Sequence, residues 1–175
     1  MKKLAAVLMS LCLILTAAAA FADETETSVV NWSDHEAEAA EMDGQFALVS
    51  QTGLKMFIPA EFHDTELSDE TLVGGTFMVL KSDKEYRAVV NAQIIDIDID
   101  VFKAGMEKEG KTLWETVLNG LHCYQFNVEA EGVTTSCFIF STNQNSILLI
   151  GFTLTNEEPY TSIFKVMASS IQLAE

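Results

Sequence analysis

Three aspartates alternate with isoleucines in the run IIDIDIDVFKAGMEKEG, residues 94–110. With Asp96 at position one of a calcium loop, Asp98 and Asp100 take positions three and five and Glu107 takes position twelve. Position six must be glycine for the sharp turn, and here it is Val101, a β-branched residue that resists positive φ. The same residues also spell a strand end and a helix start. Ile94, Ile95, Ile97 and Ile99 close a strand, and an aspartate caps a helix over about residues 99–109. Ile99, Phe102 and Met106 form that helix's buried stripe, and Gly110 ends it. The spacing predicts the strand end and cap; a calcium-dependent structural domain is the rival.

Nucleophilic catalysis requires a Ser or Cys within reach of a base. The three histidines are His35, His63 and His122. His122 and Cys123 are adjacent in one strand pattern, so their side chains point to opposite faces and form no dyad. His63 falls in a polar segment after Pro59, and His35 on the capping turn of an acidic helix. No G-x-S-x-G, HExxH, P-loop or dinucleotide fingerprint occurs. Catalytic, cofactor-binding and metal-ligating residues are therefore all expected to be absent. An enzyme would have to assemble its site from loop acids and His63, and this is the second alternative.

Cys123 and Cys137 form a candidate disulfide. A three-residue loop at residues 130–132 would pair Glu129 with Val133 and put both cysteines on one face, two positions out of register. A slip of two brings them opposite, where a bridge is geometrically allowed. The alternative is two buried thiols acting as small apolar residues.

The elements that must hold these residues follow from periodicity. WSDHEAEAAEMDG suggests a short helix with a Ser33/Glu36 capping box, Trp32 stapled onto Ala37, an apolar face of Ala37, Ala40 and Met42, and Gly44 at its end. Two hairpins follow: FALVS and LKMFI around Gln51-Thr52-Gly53, then GTFMVLK and YRAVVNAQII around residues 82–85, with EFHDTELSDET between them as a polar connection. Residues 112–154 read as a four-stranded antiparallel meander. Its first turn is Asn119-Gly120, a pair that tolerates positive φ. Within SILLIGFTL, Ile147 to Phe152 is apolar at every position except Gly151, as expected of a central strand covered on both faces. A last helix opens at a Thr155/Glu158 capping box with Pro159 in its first turn, and buries Tyr160, Ile163, Phe164, Met167 and Ile171.

The N-terminus has the pattern of a secretory signal over residues 1–22: Lys2 and Lys3, an apolar run, then Ala20-Phe21-Ala22. Leu11 stands where a lipobox needs a small residue, so Cys12 leaves with the signal. An acidic, flexible leader is expected over residues 23–31 and a single domain over residues 32–175. The whole chain carries −16, and without Lys2 and Lys3 it has 8 basic and 26 acidic residues, a net of −18. Such a balance disfavours nucleic acid and anionic lipid, which both require clustered Lys and Arg. It would steer a cationic partner instead.

GLKMFIPAEF, NGLHCYQF, NSILLIGFTL and the ending VMASSIQ resemble small exported bacterial domains of PsbP-like fold. The resemblance spans residues 32–172 and carries no catalytic signature. It implies an antiparallel sheet between helical layers, and adaptor or binding roles. The expected fold is thus α+β: a mainly antiparallel sheet, two hairpins plus the meander, with helices on its faces as a PsbP-like sandwich. The expected function is that of an exported, non-enzymatic module outside the cytoplasm or secreted. Its partner would be a protein or small ligand at the cell envelope, bound through acidic loops around residues 61–71 and Trp32.

Overall fold

The computed structural model describes residues 27–174, apart from positions 70, 71, 73 and 143. The secretory signal and residues 23–26 lie outside the described residues. Two sheets carry the fold. The larger has eight strands in the order β1-β7-β8-β9-β10-β6-β5-β4, and the smaller has three in the order β11-β3-β2. In chain order, β1 is Ser28–Val30, β2 Gly44–Leu48, β3 Leu54–Pro59, β4 Phe62–Asp64, β5 Thr76–Ser82 and β6 Val89–Ile95. They are followed by β7 Trp114–Leu118, β8 Leu121–Ala130, β9 Val133–Ser141, β10 Ile147–Thr153 and β11 Gln172–Leu173. The helices are α1 Glu36–Ala40, α2 Ile99–Lys108 and α3 Tyr160–Ser169.

The meander β7-β8-β9-β10 forms as expected, and β10 is buried at every position from Ile147 to Phe152. Covering it on both faces makes two cores. One packs α3 and the small sheet through Met56, Phe152, Phe164 and Met167. The other lies under α2 and gathers Phe102, Met106, Phe126, Ile139 and Leu149.

Four expectations are corrected. First, the large sheet is mixed: β1 runs parallel to β7, Val30 opposite Leu118, so part of the expected leader is a strand. An unpaired edge on β7 would leave a row of backbone N–H and C=O groups open, and β1 covers it. Second, the polar connection at residues 61–71 begins with β4, which pairs with β5. Phe62 within it is 5% exposed, with its ring 5.6 Å from that of Phe164. Third, neither capping box forms. Residues Trp32–Asp34 make a 3-10 turn, His35 stands at the N-cap of α1 with no side-chain cap bond, and Gly44 opens β2. Trp32 packs edge-on to Phe46 with centroids 5.3 Å apart, rather than on exposed Ala37. The buried residue of α1 is Ala39. At α3 the N-cap is Pro159, and the Thr155 hydroxyl donates to Thr134 O instead. Fourth, the β8-β9 turn is one residue shorter than expected. Glu131 at φ +52° and Gly132 at φ +78° form a two-residue turn that sets Ala130 opposite Val133. Consecutive positive-φ residues match the right-handed twist of the flanking strands.

Two side chains tie the C-terminal end of α3 to its surroundings, Ser170 to the small sheet and Asn119 to the β7-β8 turn. Buried Ser170 donates to Met167 O and accepts the Phe57 backbone N–H at 2.7 Å, a group that the two-residue strand β11 leaves without a ladder partner. Asn119, at φ +50° in its turn, accepts the Trp32 N–H and donates to Ser169 O and Ile171 O at 2.7 and 2.8 Å.

Candidate functional site: a cleft beside the last helix

The aspartate run is a strand end and a cap. Strand β6 stops at Ile95, Asp98 accepts the Asp100 N–H at 2.8 Å as N-cap of α2, Phe102 and Met106 are buried, and Gly110 follows the helix at φ +68°. Val101 sits within the helix, half exposed, so the run does not wrap as a loop. Among the described residues no three His, Cys, Asp or Glu side chains gather as a metal site.

The histidines stand apart. His122 is exposed on β8, 3.8 Å from Glu115, while Cys123 beside it is buried on the other face. His63 is exposed on β4, with Nε2 3.5 Å from Asp83. His35 is the one buried histidine, 9% exposed, with Nδ1 3.3 Å from Glu38.

The two thiols are free and belong to different cores, Cys123 under α3 and Cys137 under α2. The shorter turn is the cause: it places Cys137 opposite Phe126, and a one-residue change of register moves a side chain to the other face. Burial pushes both thiols up to about 12. The folded state therefore binds these protons more tightly than the unfolded chain does. That contribution to stability is whole below the unfolded thiol pKa of about 8.5 and is lost as pH rises through about 12. At pH 8 an aromatic disulfide reagent is expected to leave Cys123 and Cys137 unmodified in the native protein and to label both after denaturation, as peptide mass spectrometry would report. Rapid native labelling would show that the cores open.

A cleft of about 420 Å³ lies between α3 and strands β7, β8 and β9, with Val30 and His35 also in its wall. Its apolar side comprises Leu118, Phe138, Phe152 and Phe164, each at most 6% exposed. Strand alternation selects its polar side. Trp114, Thr116 and Leu118 share one face of β7, and the register places Gln125 of β8 opposite Trp114 on that face. Thr116 is 2% exposed, yet its hydroxyl has no hydrogen-bond partner among the described residues, and the same holds for the indole N–H of Trp114. Leaving a buried hydroxyl unpaired costs about 1–3 kcal/mol. Toward the rim, Ser136 already donates to Asn127. Lys165 reaches the cleft from α3 and has no ion-pair partner among the described residues. No Asp or Glu lines the cleft, in a chain with 26 of them.

A second cleft, of about 430 Å³, lies between β2, β3 and β4 and includes His63, Asp43 and Asp64. Its polar groups face solvent, and it holds no unpaired buried atom.

Pattern reading missed Thr116, Gln125 and Lys165. The available signal was a polar residue at an inward position between two large apolar ones in WETVL.

No protein-family model and no curated protein matches this chain. Solved structures do. Cyanobacterial PsbP (CyanoP) from Synechocystis sp. PCC 6803 is 12% identical with a TM-score of 0.54, over 76% of this chain and 94% of that one. A protein from Bacteroides thetaiotaomicron VPI-5482 is 12% identical with a TM-score of 0.50; the match covers 77% of this chain and 50% of that chain. The fold is α+β and PsbP-like, as the sequence motifs implied. No described helix is long and apolar enough to cross a membrane.

Proposed function

We propose that this chain is an exported, non-enzymatic binding module whose ligand occupies the cleft beside α3. The observation that carries this reading is the Thr116 hydroxyl, buried and unpaired in the wall of a mainly apolar cleft. Ligand clefts typically combine an apolar lining of this kind with a few placed polar groups, in volumes of about 300–1,000 Å³. The scatter of His35, His63 and His122, and two thiols held neutral by burial, favour binding over catalysis. The acidic segment at 61–71 serves less well as the binding surface, because Phe62 belongs to the core and Glu61 accepts bonds from Ser82 and Lys84.

Screening neutral, cationic and anionic fragments by backbone amide shifts is expected to give hits that map to residues 116, 118 and 125. A Leu118→Trp change, which fills the cleft, should abolish them while the protein still melts cooperatively. Hits of every charge class falling elsewhere would sink the cleft as the binding site. Export is tested by N-terminal sequencing of protein recovered outside the cytoplasm, expected to begin at or next to Asp23.

A further inference from the structure

We infer that the ligand of this cleft is a small amphipathic monocarboxylate, with an apolar body set on the phenylalanine wall and acceptor oxygens matched by Thr116, Gln125 and Lys165. This rests on the cleft being the binding site, and it specifies what enters.

The argument begins with hydrogen-bond polarity. Each free polar group in or beside the cleft is able to donate. Lys165 Nζ offers three donors and no acceptor. The Thr116 hydroxyl and the Gln125 amide both donate and accept, and neither is engaged by another side chain among the described residues. A ligand rich in acceptors satisfies the donors that line the cleft, whereas an ammonium would leave the lysine unpaired.

Charge leads to the same class. The absence of Asp and Glu from this wall, in a chain of net charge −16, means that an anion meets less local repulsion here than in the second cleft, which includes Asp43 and Asp64. Screening at physiological ionic strength confines exposed charges to a range of about 8 Å, so an ion inside the cleft is governed by the nearby Lys165 more than by distant acids. A carboxylate also fits better than a phosphate. The cleft has one lysine, no arginine and no glycine-rich turn, and a dianion would normally require more donors than this.

Size and shape define the rest. Phe138, Phe152 and Phe164 form a continuous apolar surface, with the Phe138 and Phe152 rings 5.9 Å apart and the Phe152 and Phe164 rings 5.6 Å apart. An aryl or medium-length alkyl body would cover it. Acetate has no apolar body to place there.

The test compares 3-phenylpropionate with 3-phenylpropan-1-ol, two probes that share a body and differ in charge. Dissociation constants come from amide-shift titrations of the protein, followed at Thr116, Leu118 and Gln125. The acid is expected to bind at least tenfold more tightly than the alcohol. Lys165→Met should bring the two together by weakening the acid alone, and Thr116→Val should weaken the acid without lowering the melting temperature. Equal affinity of acid and alcohol, both mapping to the cleft, would overturn the carboxylate while leaving the binding site in place. A preference that survives Lys165→Met and Thr116→Val together would also overturn it. If neither probe shifts these amides while neutral or cationic fragments do, another chemical class occupies the cleft. If no fragment of any class does, the binding site itself is wrong.

Discussion

Phe164→Ala is expected to lower the stability of the domain by about 3–5 kcal/mol, the usual range for deleting a fully buried aromatic ring. Phe164 is 2% exposed, and its ring lies 5.6 Å from Phe62, 5.6 Å from Phe152 and 5.8 Å from Tyr160. One residue thus joins the edge strand β4, the central strand β10 and its own helix. Because these partners belong to different elements, the cavity cannot be closed by a local shift of α3 alone. Against a typical total of about 5–15 kcal/mol, the loss would remove a large fraction of the domain's stability. Chemical denaturation with the slope compared between variants is the measurement. A loss below about 1 kcal/mol would mean that α3 is not docked through this ring. Phe164→Leu, which retains much of the volume, should cost less than half as much.

Asn119→Ala is expected to cost about 2–4 kcal/mol, from two separable sources. The side chain makes three hydrogen bonds, to the Trp32 N–H, Ser169 O and Ile171 O, and the backbone sits at φ +50°. Alanine loses the bonds and strains the left-handed backbone, whereas glycine loses the bonds and relieves the strain. Asn119→Gly should therefore be milder than Asn119→Ala by about 1 kcal/mol. Identical stabilities for the two would show that the turn is not under this constraint. Wild-type stability for both would show that the three bonds contribute nothing. Hydrogen exchange adds a second readout, because loss of the Asn119 link should speed exchange of the Trp32 and Asn119 amides, the latter bonded to Val30 O.

Much of the local architecture was legible from periodicity. The Asn119-Gly120 turn, the four-stranded meander, the cap at Asp98 and the stripe on α3 all depend on residues a few positions apart, and there the pattern and the structure agree. The capping boxes failed for a related reason. Ser33 and Thr155 were free to cap in isolation, but a 3-10 turn took the first and a bond to Thr134 O took the second. The cleft was not legible at all. Thr116 and Lys165 are 49 positions apart, and nothing in the spacing of either shows that α3 crosses the face of β7.

The sequence by itself determined the α+β class, the four-stranded meander and the acid excess, because each is written in composition or in contacts between near neighbours, while the PsbP-like fold was implied by the resemblance of its motifs. Tertiary structure alone decided three things: the parallel pairing of Ser28 with Thr116, the separation of Cys123 from Cys137, and the gathering of unpaired donors in one acid-free cleft. The physical reason is shared. A strand's side chains alternate with a period of two, so one residue of turn length exchanges its faces, and which distant segment then covers each face depends on packing that no local window contains.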